Sequence, residues 1–176
     1  MIRLRRSVLI ERDPAHVFAL VSDPGRYPEF FDGITRWEPR SRKRRGVGAK
    51  FRVLVQVGSI EAGGTVGISD WAENERIAWE SEAGIEQRGA WEIVPSGGGS
   101  ELTLEIEFNL RGFAGWLAER LAGRVVERHM MATVLAARRL LEFESRPEPP
   151  HEGQNRPDSK QKRGAKGESR RPANRA

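Results

Sequence analysis

The chain has 176 residues, no cysteine and a net charge of +5. Its length suits one domain with a sizeable core, and the missing thiols exclude disulfides, cysteine nucleophiles and cysteine metal sites. No apolar run approaches the roughly 18 residues of a membrane span, and the opening "MIRLRRSVLIERD" is too short in apolar residues for a secretory signal, so a cytoplasmic protein is expected.

The charge is unevenly placed. From Ser145 onward nine Lys and Arg face four Asp and Glu, which accounts for the whole of the +5, while residues 1–144 are neutral. The segment "SRPEPPHEGQNRPDSKQKRGAKGESRRPANRA" has no aromatic and almost no large apolar side chain. It cannot bury enough surface to offset its ordering entropy. Residues 1–144 are therefore expected to form the folded domain and 145–176 a disordered basic tail with weak polyanion contacts.

Taken in chain order, "RLRRSVLIE" alternates as a first strand, and Asp13-Pro14 is a helix start made of a carboxylate cap and a proline in the first turn. The helix carries Val17, Phe18 and Val21 on one face, then breaks at Asp23-Pro24 and again at Tyr27-Pro28 while keeping Tyr27, Phe30 and Phe31. Strand patterns follow at Phe51, Val53, Val55 and Val57, at Ile77 and Trp79, at Trp91 and Ile93, and from Leu102 through Leu104, Ile106 and Phe108 to Leu110. Their alternation gives one wet and one buried face, as in an antiparallel sheet. Turn signals cut the region into a meander, and glycines at 58, 63, 64, 67 and 89 suit a strongly curved sheet.

Residues 113–143 read as one long helix. Ala118, Ala122, Val125, Val126, His129, Ala132, Thr133, Ala136 and Leu140 share one side, with Arg and Glu on the other. Small residues facing a curved sheet either let the helix approach it closely or leave a void, and because native interiors fill to crystal-like density an internal pocket would point to a ligand.

"VLIERDPAHVFALVSDPGRYPEFF", the later "GVGAKFRV" and the long last helix together resemble the SRPBCC superfamily, which includes START-like lipid carriers, polyketide cyclase/dehydrases and birch-pollen-allergen-like proteins. The resemblance implies an α+β helix-grip fold: a curved antiparallel sheet of about seven strands around the helix, with two short helices after the first strand. It also implies an internal cavity. "RYPEFF" is similar to the matching stretch of coenzyme Q-binding chaperones and their ribosome-associated relatives.

The cavity is expected to be lined by Tyr27, Phe51, Val53, Val55, Trp79, Trp91, Leu104, Ile106, Phe108, Val125, His129, Ala132 and Thr133. His129, set among alanines, is expected to be desolvated and neutral, a candidate general base. Tyr27 is the candidate donor to an oxyanion. Ser81 and Gln87 share the inward parity, and His16 falls in a helix first turn, where it is exposed or capping.

No nucleophile elbow, zinc-protease helix, P-loop or dinucleotide fingerprint occurs, so neither cofactor nor metal is expected. Arg40, Arg42, Lys43, Arg44 and Arg45 form a basic run in an expected hairpin turn, with Trp37 before it and Trp116 further on as candidates for a membrane interface. The expected function is carriage or sensing of a small hydrophobic molecule of lipid, polyketide or quinone type, by a monomer or weak dimer. The alternatives are polyketide cyclase/dehydratase chemistry and a membrane, ribosome or RNA partner acting through the basic segments.

Overall fold

The computed structural model describes residues 1–109 and 115–143; the expected basic tail and its polyanion contacts lie outside them. Strand β1 (Ile2–Ile10) leads into helix α1 (Pro14–Val21), a 3-10 turn (Pro24–Arg26) and the one-turn helix α2 (Tyr27–Phe30). Six more strands follow: β2 (Ile34–Pro39), β3 (Lys50–Val57), β4 (Ile60–Ala72), β5 (Arg76–Gly84), β6 (Glu86–Ser96) and β7 (Gly99–Asn109). Helix α3 (Gly115–Phe143) closes the described chain. All seven strands belong to one antiparallel sheet in the order β1-β7-β6-β5-β4-β3-β2, so the fold is the expected helix-grip.

The local starts and stops have clear causes. The Asp13 side chain accepts the His16 N–H at 3.0 Å and Pro14 opens α1, as the sequence suggests. That backbone hydrogen bond, with the His16 ring 2.8 Å away, holds the Asp13 carboxyl below its ordinary pKa. His16 is thus exposed and part of the cap. Asp23 repeats the device for the next turn, accepting from Gly25 N–H at 2.9 Å.

Strand register places the alternating apolar residues together. Phe51, Val53 and Val55 on β3, Trp79 on β5, Trp91 on β6, and Leu104, Ile106 and Phe108 on β7 all fall on the concave face, as do Ser81 and Gln87. The convex face carries ion pairs between neighbouring strands, among them Arg3–Glu105 at 2.8 Å and Arg88–Glu107 at 2.6 Å. The Arg88 hydrogen bond keeps the Glu107 carboxyl below its ordinary pKa and raises that of Arg88 itself. Such exposed pairs contribute little singly.

Helix α3 runs chiefly against β1, one edge of the sheet. Arg6 on β1 pairs with Glu127, and Arg12 donates to the Leu141 carbonyl at 3.1 Å, tying the last turn of α3 to the start of α1. The sheet also forks. β5 follows β4 as far as Gly64 opposite Gly84, and β6 follows β7 as far as Glu86 opposite Asn109, but β5 and β6 part beyond Glu80 and Arg88. The Gln87 N–H, donating to Ser81 Oγ at 3.1 Å, spans the fork.

The basic run lies in the connection from β2 to β3. Arg40, Arg42, Lys43, Arg44 and Arg45 are exposed there. Arg45 donates to Ser22 Oγ at 2.8 Å and stands 5.7 Å above the Trp71 ring. Among the described residues Arg40, Arg42 and Arg44 have no ion-pair partner.

Candidate functional site

The broken helical segment explains the concave face. By turning twice at prolines, the chain lays α1 and α2 across one end of the sheet, and its aromatics point inward. Tyr27 meets Trp37 edge-on with centroids 4.4 Å apart, and Phe31 lies 6.2 Å from Trp37 and 5.8 Å from Trp91. Phe30 reaches Trp91 at 6.2 Å, while Trp37 touches Phe51 at 5.8 Å and Trp79 at 6.3 Å. The result is a ring-to-ring cluster, each pair adding about 0.5–1.5 kcal/mol beyond its buried area. Trp79 packs against Gly89 of β6, where an added Cβ would come within 2.3 Å of the indole.

This packing corrects part of the expectation. Tyr27, Phe51, Val53, Trp79, Trp91, Leu104 and Thr133 are buried in the core cluster at this end, where side chains fill the space expected to be void, and Phe108, opposite Gln87 at the fork, is buried as well. Trp37, expected near a membrane interface, turns its ring into the cluster instead; the side chain of Trp116 lies outside the described residues. Val55, Ile106, Val125 and Ala132 are only half-buried. Val125, His129 and Ala132 share the flank of α3 away from β1, and His129 on that flank meets the residues that lead into β2.

Neither catalytic candidate stands as expected. The Tyr27 hydroxyl donates to the Val21 carbonyl at 2.7 Å, a group left open where α1 ends, so its proton is committed to the backbone. Burial pushes its pKa well up, with the Trp91 indole opposing and the Asp23 carboxylate reinforcing the shift. His129 is not sealed among alanines. Its Nδ1 lies 2.5 Å from Asp32 Oδ2, and its side chain keeps about a quarter of its surface exposed. Thr133 Oγ1 accepts the Asp32 N–H at 3.0 Å. Gly33, at φ 79°, presses so closely on the His129 ring that an added Cβ would sit 2.8 Å from Nδ1. Asp32, Gly33, His129 and Thr133 thus clasp α3 to the start of β2.

Among the described residues two buried donors are left over. The Nε1 atoms of Trp37 and Trp91 are buried and have no hydrogen-bond partner. Trp91 faces the Tyr27 oxygen but falls short of hydrogen-bond geometry. A buried donor without a partner costs about 1–3 kcal/mol, which makes both groups conspicuous in an otherwise satisfied core.

Two clefts open elsewhere on the described surface. One, of about 230 Å³, lies at the β5–β6 fork and includes Ser81, Gln87, Arg88 and Glu107. The other, of about 370 Å³, is bounded by Phe18, Arg45, Trp71 and Glu73. Neither opens onto the aromatic cluster. Among the described residues no three acidic or histidine side chains converge as a metal ion would require, and no helix is long and apolar enough to cross a membrane.

Residues 1–142 match the profile of the polyketide cyclase/dehydrase and lipid transport family. The chain belongs to that family. No curated protein sequence matches it. Among solved structures, TTHA0849 from Thermus thermophilus is similar at TM-score 0.72 and 17% identity, covering 82% of this chain and 99% of that one. The Zhui aromatase/cyclase from Streptomyces sp. R1128 gives 0.68 and 18%, with 82% and 96% covered. A START superfamily protein from Mycobacterium smegmatis gives 0.61 and 21%, with 78% and 98% covered. At these identities the likeness is one of fold.

Two features escaped the sequence reading. Asp32 stands 97 residues from His129, in a junction whose only signal is the Asp-Gly turn pair. The unpartnered indoles have no sequence signature, because a tryptophan's N–H is satisfied or orphaned by tertiary neighbours alone.

Proposed function

We propose that the concave face binds a small hydrophobic molecule, of lipid, polyketide or quinone type, as a carrier or sensor. The observation that carries this reading is the uneven burial of the inward side chains. They are buried in the core cluster at the α1–α2 end and half-open at Val55, Ile106, Val125 and Ala132, although Phe108 beyond Ile106 is buried again. A native interior fills to crystal-like density, so apolar side chains left half-open on an inward face mark where a partner completes the packing. An apolar ligand there gains about 25 cal/mol per Å² that it withdraws from water, and a few polar groups orient it. Family membership and fold support the reading without naming the ligand.

Catalysis of a cyclase or dehydratase type is the second reading, favoured by one observation. Asp32 fixes one nitrogen of His129, an arrangement that leaves the other to accept a proton. Against it, Tyr27 has no free proton to offer an oxyanion.

Replacing the half-buried Ala132 with Trp tests the first reading. An apolar reporter such as N-phenyl-1-naphthylamine should brighten on the wild type and lose most of that response in the variant, with the unfolding temperature little changed. A dye response undiminished in the variant, or absent from the wild type, overturns the assignment. His129→Phe separates the readings: a carrier keeps its ligand, whereas an enzyme using His129 as base loses roughly 10² to 10⁴ in rate.

A further inference from the structure

We propose that the connection from β2 to β3 is a docking surface for an anionic lipid bilayer, on which Arg40, Arg42 and Arg44 meet the headgroups and Val47 enters the apolar boundary beneath them. The inference does not depend on what the concave face binds.

It starts from the distribution of charge. Residues 1–144 are neutral as a whole, yet residues 39–60 hold seven Lys and Arg and no acid. The rest of that span holds fourteen Lys and Arg against twenty-one Asp and Glu. Positive charge is therefore gathered on one connection, an arrangement that turns this part of the molecule toward a negative surface. The cations there are largely uncommitted. Lys43 donates to the Val47 carbonyl, Lys50 pairs with Glu82 at 2.8 Å, and Arg45 is held by Ser22 Oγ above the Trp71 ring. Arg40, Arg42 and Arg44 are exposed and have no ion-pair partner among the described residues.

The connection is held in shape. The Arg40 N–H donates to the Lys50 carbonyl at 2.7 Å, the Lys50 N–H to Ser41 Oγ at 3.0 Å, and the Gly48 N–H to the Ile68 carbonyl at 2.9 Å. Gly46 and Gly48, at φ 77° and 86°, take left-handed turns on either side of Val47. Val47 is left 51% exposed, while Ala49 two residues on is fully buried. An apolar side chain kept in water beside unpaired cations calls for a partner with both characters. A bilayer has them in layers, anionic headgroups outside and hydrocarbon a few ångströms below. A nucleic acid fits less well. Single strands are held by bases stacked on open rings, but Trp37 is turned into the core cluster and Arg45 stands over Trp71. Against a phosphate backbone Val47 would gain nothing.

The chain has no cysteine, so Val47→Cys in the full-length protein takes the polarity-sensitive dye acrylodan at that one position. Its emission should shift to the blue on vesicles of phosphatidylcholine containing about one-third phosphatidylglycerol, and not on phosphatidylcholine alone. About 0.5 M salt should reverse the shift, because screening then acts within a few ångströms. In the unlabelled chain, Arg40→Gln, Arg42→Gln and Arg44→Gln together should weaken binding to the anionic vesicles about a hundredfold, at about fivefold for each charge near such a surface. Lys160→Gln, Lys162→Gln and Arg163→Gln remove as much charge from the basic segment beyond Ser145 and should cost less. A dye that stays in water on vesicles the protein binds, or a greater loss from the second triple variant than from the first, places the contact elsewhere and overturns the inference. So does equal binding to both kinds of vesicle. If polyuridylate binds through the three arginines and vesicles do not, the partner is a nucleic acid and the bilayer is excluded; if neither binds, the surface has no such role.

Discussion

One substitution, glycine to alanine, should act with opposite sign at two positions of this fold. At Gly89 the new Cβ would stand 2.3 Å from Cζ2 and 2.5 Å from Cε2 of Trp79, more than 1 Å inside ordinary contact, and the ring behind them is 4% exposed. The indole is rigid, with Trp37 6.3 Å beyond it. If the cluster yields, overpacking costs about 1–3 kcal/mol; if Trp79 is expelled, the loss approaches the ~3–5 kcal/mol of a large-to-small aromatic change. At Gly123 the added Cβ meets, among the described residues, Ile2 at 3.8 and 4.0 Å, which is ordinary contact. There the helix propensity of alanine decides, a gain of roughly 0.8–1 kcal/mol. With about 2–4 °C per kcal/mol for a chain of this size, the two variants should melt well apart on either side of the wild type. Thermal unfolding followed by tryptophan emission measures both. A Gly89→Ala protein within about 0.5 kcal/mol of wild type, or a Gly123→Ala protein less stable than it, would refute the steric argument.

Tyr27→Phe removes the donor to the Val21 carbonyl and leaves that oxygen buried, so denaturant titration should show a loss of about 1–3 kcal/mol with no change in slope. Glu107 has a folded pKa below its unfolded one because Arg88 hydrogen-bonds it. Its contribution is therefore present above the ordinary carboxylate pKa and lost as pH falls through the depressed value. Glu107→Gln should flatten the acid limb of a stability-against-pH curve and leave the curve above pH 7 parallel to the wild type. An unchanged acid limb would show that the Arg88 pair contributes nothing.

Much of the architecture was written in short-range pattern. Leu102, Leu104, Ile106 and Phe108 alternate so regularly that their shared face follows from spacing alone, and the register with β6 and β1 places them there. Strand β2 was harder to locate, because Arg36 and Glu38 flank Trp37 and its one edge pairing needs little apolar pattern. In β4 the glycines at 63, 64 and 67 dilute the alternation. The site divides in the same way. Helical periodicity puts His129 on the inner side of α3, but a wheel has no information about which flank meets which loop, so the Asp32 pairing and the exposure it brings were out of reach. The Tyr27 bond was nearer to hand. A helix ending at Val21 must leave open carbonyls, and a tyrosine six residues on is well placed to satisfy one.

The strand order also governs how the chain can be assembled in time. From β2 to β7 every strand pairs with its immediate successor, so that meander can close through contacts between near neighbours. β1 is different: Ile2 lies opposite Phe108 and Ile10 opposite Ser100, pairings that close loops of about 90 to 105 residues. Closing loops of that length before any contact rewards them slows folding. On a ribosome, β1 emerges before the strand it pairs with and is the last to find its place. Until residues 99–109 follow, its alternating apolar face has no partner strand, and the long helix that covers β1 comes later still. The three arginines at positions 3, 5 and 6, interleaved through that strand, keep it charged throughout the wait and guard against premature pairing with another chain.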